Sequence, residues 1–128
     1  MSTIVSRVKL LDFTGESANQ SGTETTPKVK ANDIVTADDI DWHAVYGINI
    51  TGGTSPKVQI FIEQQLETGG NWVLMKLLVA TDTSPNVGSA GLPIANGAPI
   101  RARTVNSGSP TGVDLELWIG ATGPVSFE

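Results

Sequence analysis

Val58-Gln59-Ile60-Phe61-Ile62-Glu63 decides the fold class. On an extended chain Val58, Ile60 and Ile62 fall on one side and Gln59, Phe61 and Glu63 on the other, the period of two that marks a half-buried strand. Turn residues bound it on both sides: Gly52-Gly53-Thr54-Ser55-Pro56 before, and the hairpin signal Glu67-Thr68-Gly69-Gly70-Asn71 after. Lys57 to Leu66 is therefore read as one strand and Trp72 to Thr81 as its return. The second run is almost continuously apolar, which predicts burial on both faces or cover by a neighbour.

Working outward, the same period recurs. Ala44, Tyr46, Ile48 and Ile50 share a face within His43 to Thr51, and Pro27 to Val35 reads as a further short strand. Asp82 to Pro99, rich in Gly, Pro, Ser and Asn, is expected to be a connection across the domain. Ile100 to Val105 and Val113 to Ile119 both alternate, with Asn106 to Gly112 as the turn between them. If they pair with apolar faces inward, Arg101 and Arg103 meet Asp114 and Glu116 across the strands. No segment has a helical period, so the expected fold is all-β: a two-sheet antiparallel β-sandwich with a jelly-roll-like path.

At the N-terminus, Thr3 to Phe13 alternates loosely, and Thr14 to Pro27 is a polar tract without apolar periodicity. The first segment reads as a strand or extended arm and the tract after it as a mobile linker, giving residues 1–25 as arm and linker and 26–128 as the β-sandwich domain. Ile4, Val5, Val8, Leu10 and Phe13 make that segment too apolar to stay in water, so that it would dock on a partner or add a strand to its own sheet. Two more contact candidates come from strand faces. Phe61 projects from the polar side of its strand, and Trp118 lies opposite Leu117 and Ile119, beside Asp114 and Glu116.

Composition narrows the function classes. At 128 residues one domain is expected. A net charge of −5 argues against nucleic acid and anionic membranes as partners. Zero cysteines remove disulfides, thiolate catalysis and cysteine-held zinc. Met1-Ser-Thr-Ile-Val-Ser-Arg7 lacks the basic and apolar pattern of a secretory leader, so export is not expected.

Catalytic constellations are thin. Asp39, Asp41 and His43 at spacing two would point one way on an extended backbone and could hold a divalent ion, but a solvated acidic turn explains them as well. Gly88-Ser89-Ala90-Gly91 is not a nucleophile elbow. Glu63, Glu67, Asp114 and Glu116 are read as surface charges. Trp42, Trp72 and Trp118 could offer a sugar-stacking platform, although Trp72 opens an apolar strand. The reading is a non-enzyme without cofactor or metal.

The order Val58 to Glu63, then Gly69-Gly70-Asn71-Trp72-Val73-Leu74, then Ile100-Arg101-Ala102-Arg103, then Gly112-Val113-Asp114-Leu115-Glu116-Leu117 resembles the small β-sandwich virion proteins of tailed bacteriophages. Gln64 to Gly70 stands where those proteins carry Ser-Asn-Asp-Gly ahead of the tryptophan. The resemblance implies a capsid decoration (cement) protein: a homo-oligomer, trimeric in expectation, bound to the major capsid protein or another virion protein. It would reside in the virion, and in the host cytoplasm during assembly. The alternative is a carbohydrate- or receptor-binding module of a tail or fibre.

Overall fold

Inward residues of the alternating segments are where burial is complete. Val58, Ile60, Ile62, Ala102, Leu117 and Ile119 form one core with Ala44, Ile48, Ile100, Val113 and Leu115. The computed structural model describes residues 2–24, 41–65, 69–81, 87–92 and 99–124. Within them the chain forms β1 (Ser2–Glu16), β2 (Ser21–Glu24), β3 (Asp41–Thr51), β4 (Lys57–Gln65), β5 (Trp72–Thr81), β6 (Val87–Leu92), β7 (Ile100–Ser107) and β8 (Gly112–Pro124).

The strands make two four-stranded sheets, sheet A in the order β1-β8-β3-β6 and sheet B in the order β2-β7-β4-β5. The antiparallel pairs β1·β8, β2·β7, β3·β6 and β4·β5 are those of one long hairpin folded at its middle. Rolling that hairpin so that β8 also meets β3, and β7 also meets β4, divides it between two sheets. The result is the expected jelly roll, with the β4–β5 hairpin at the centre of the path.

Partners differ from expectation in several places. β7 and β8 belong to different sheets, so the link between them is a crossover and not a hairpin turn. It is tied to the β3–β4 crossover at the same end: Thr54 N donates to Gly108 O at 2.8 Å and Thr111 N to Thr51 O at 2.9 Å. The approach is so close that a Cβ on Gly53, itself at φ 77°, would lie 2.5 Å from Gly108 O. The segment expected to be a plain connection holds β6, paired with β3 from Trp42 to Gly47.

The N-terminal segment is a strand of sheet A and not a detached arm. β1 runs along β8 from Ser2 opposite Pro124 to Glu16 opposite Val113, and Leu10 and Leu11 are buried in the common core. The polar tract behind it is a laced crossover. Gln20 N donates to Thr104 Oγ1 at 2.8 Å, Asn106 N to Asn19 Oδ1 at 2.9 Å, and Asn106 Nδ2 to Ser17 O at 3.1 Å. The expected boundary between residues 25 and 26 and the expected strand Pro27 to Val35 lie outside the described residues.

Candidate functional site

Outward positions of the two sheets carry the side chains available for contact. On sheet B, register places Arg103 opposite Phe61 and Arg101 opposite Glu63. Arg101 Nε and Arg103 Nε donate to the same oxygen, Glu63 Oε1, at 2.9 and 3.0 Å. The Arg101 guanidinium lies 4.5 Å from the Trp72 ring centroid and that of Arg103 4.3 Å from the Phe61 ring centroid. Planar cations on aromatic faces are held in orientation as well as attracted.

Packed beneath these groups, Glu63 is 6% exposed. Burial pushes its carboxyl up, but the hydrogen bonds and charges of Arg103 and Arg101 outweigh that, and it titrates below the usual carboxylate value. Sequence reading took Glu63 for a surface charge and gave the two arginines to Asp114 and Glu116. Those acids are on the other sheet, where Asp114 Oδ1 accepts from Gly15 N at 2.7 Å and Glu116 Oε1 from Trp118 Nε1 at 2.7 Å.

At the rim of sheet B, β5 departs furthest from expectation. Among the described residues it is an edge strand, and Val73, Leu74, Leu77 and Val79 are 39–48% exposed. Only its inner positions Leu78 and Ala80 are buried. Its single charged residue is Lys76, beside the register shift opposite Ile62 and Glu63. The apolar run is legible in the sequence, but not that its outward side chains Leu74, Leu77 and Val79 are exposed.

Sheet A presents a different outer face. Lys9 Nζ lies 5.5 Å from the Trp118 ring centroid and 2.8 Å from Asp12 Oδ2. The hydrogen bond to Asp12 and its charge raise the lysine pKa. Val45, Tyr46, Gly47, Val87, Glu116 and Trp118 border an open depression of about 330 Å³. Phe61 and Trp118 are thus both outward, as expected, but on opposite faces of the sandwich.

Of the remaining candidates, Leu10 is in the chain's own core and Phe13 packs against it. Ile4, Val5 and Val8 lie in β1 alongside β8, with side chains outside those described. Among the described residues no three His, Asp or Glu side chains converge in a metal-holding group. His43 is opposite Gly91 and Gly120, while Asp39 lies outside the described residues.

No family model matches the chain, and no curated protein matches it. Solved structures do resemble it. A Clostridium thermocellum xylanase 10B fragment holding CBM22-1 and GH10 modules aligns over 100% of this chain and 30% of its own length, with TM-score 0.52 and 8% identity. The PBSX exported protein XepA aligns over 100% of this chain and 38% of its own, at TM-score 0.49 and 12% identity. A Bacillus endospore appendage pilus protein aligns over 98% and 92%, at TM-score 0.42 and 16% identity. The chain thus spans well under half of the xylanase fragment and of XepA. At 8% identity the likeness to the xylanase fragment is one of fold alone, a β-sandwich.

Proposed function

We propose that this chain is a structural protein of a tailed-bacteriophage particle, a capsid decoration protein that docks on the outer shell in many copies. The observation that carries the reading is β5: a ten-residue edge strand with large apolar side chains exposed and one charge along its length. Edge strands left in water are normally shortened, charged or covered, because their free backbone groups pair with any strand that arrives. A shell protein supplying an extended segment would complete sheet B by strand addition along the edge of β5, setting its side chains beside Leu74, Leu77 and Val79 and leaving the outer face of the sheet open.

Cryo-electron microscopy of purified particles tests this, with a jelly roll on the outer surface and β5 against the shell as the expected result. Particles that lack the chain refute it. The double variant Leu74→Lys with Val79→Lys should keep its melting temperature within a few degrees, since both positions are exposed, and lose particle binding.

A second reading is favoured by the depression on sheet A. Trp118 beside the carboxylate of Glu116, over a floor opened by Gly47, offers the stacking face and acceptor that a sugar ring uses. A glycan array separates the two: retention of a glycan that Trp118→Ala abolishes supports a carbohydrate-binding module.

A further inference from the structure

We infer that the two outer faces of the sandwich are complementary halves of one contact, so that the acidic face of sheet A docks on the basic face of a second copy's sheet B. The inference rests on the reading of the chain as an assembly subunit and names the surfaces by which copies join.

Charge carries the argument. Among the described side chains at outward positions, sheet A has Lys9 against Asp12, Asp114 and Glu116, whereas sheet B has Lys57, Arg101 and Arg103 against Glu63. In a chain of net charge −5, one face is therefore locally positive. Glu63 neutralises only part of it. Each arginine spends its Nε on Glu63, and a guanidinium has further donors with which to meet carboxylates such as those of Asp12 and Glu116.

Apolar surface accompanies the charge on both sides: Phe61, Leu77 and Val79 on sheet B, Val45, Val87 and Trp118 on sheet A. Four strands of about eight residues make a face of roughly 19 by 27 Å. With side-chain relief added, that approaches the ~800 Å² per partner of a stable contact. Like faces would set acid against acid or cation against cation, which disfavours a symmetric dimer. Because the complementary faces point in opposite directions, the contact is heterologous and repeats into an open row, an arrangement different from the trimer expected from the sequence.

Sedimentation velocity on the purified 128-residue chain, with no shell protein present, tests the contact. Species larger than a trimer should build up with concentration, and association should weaken about tenfold or more when salt shortens the screening length from ~10 Å to ~3 Å. The variant Lys57→Glu with Gln59→Glu blocks the basic face without touching Glu63, Arg101 or Arg103. Asn49→Lys with Val87→Lys blocks the acidic face at two exposed positions. Each variant alone should be monomeric. Their equimolar mixture should give one-to-one dimers and nothing larger, since one good face of each kind remains; a misfolded variant could not produce that dimer. The inference is overturned by a wild-type chain that stays monomeric at low salt, by one that stops at a closed dimer or trimer, by variants that still self-associate, or by a mixture without dimers. A monomeric chain that still binds purified particles would leave shell docking standing and remove only this contact.

Discussion

Glu63 is buried and held by two cations, each of which lies against an aromatic ring, and its protonation should be felt in stability. Its folded pKa lies below the ordinary value, so it stabilises the fold fully above the unfolded carboxylate pKa of about 4.3 and loses that contribution as pH falls through the lowered folded value. Glu63→Gln should therefore cost about 1.5–3 kcal/mol at neutral pH, the range for hydrogen bonds to charged groups. Denaturant titrations of both proteins across pH 2 to 7 would read it. The gap should begin to narrow below the unfolded pKa of about 4.3 and close only below the lowered folded value, as the wild type loses its carboxylate; a gap independent of pH would mean that shape, not charge, is what Glu63 supplies. Alternation alone put Glu63, Phe61 and Trp118 on outward positions, and they are there. It could not show that Arg101 and Arg103 bury Glu63, because those arginines are 38 and 40 residues away along the chain and the intended partner strand was misassigned.

At the scale of the element, β1 is a strand of the body and not a detached arm. Its apolar residues suggested docking on something, and that something is β8 of the same chain. Removing residues 2–13 takes away the strand that covers one edge of β8, together with core residues Leu10 and Leu11. The truncated chain should lose cooperative thermal unfolding and aggregate; a sharp melting transition near that of the full chain would show that β1 is dispensable. The neighbouring β2 and β6 escaped notice for a physical reason. Ser21-Gly22-Thr23-Glu24 and Val87-Gly88-Ser89-Ala90-Gly91-Leu92 pair through backbone groups, and their small or polar side chains leave no periodic signal. Gly22 is required where β2 crosses beneath β1, since a Cβ there would collide with the Leu10 carbonyl oxygen, and Gly88 lies against the ring of Tyr46. A glycine in sequence reads as a turn, whereas here it marks close approach.

For the whole molecule, the path of the jelly roll sets how it can form. β1 meets β8 and β2 meets β7 only after most of the chain has been brought back on itself, and closing such loops costs entropy before their contacts repay it. Refolding from denaturant should take roughly milliseconds to seconds, as for other sandwiches of this connectivity, with no faster folding of an N-terminal portion. Stopped-flow tryptophan fluorescence on Trp42, buried in the core, would measure it; a microsecond main phase would be incompatible with this topology. By itself the sequence determined the all-β class, the inward and outward faces of β3, β4, β7 and β8, and the central β4–β5 hairpin. These follow from local rules: side chains alternate along a strand, and a short Gly-rich link joins antiparallel neighbours. Only the tertiary structure decided that β7 lies beside β4 while β8 lies beside β3, that β1 belongs to the body, and that among the described residues β5 is at an edge with its outward apolar side chains exposed. Alternation is the same whichever strand lies alongside, so partner choice is settled only when the whole hairpin rolls and its two sheets close on one core.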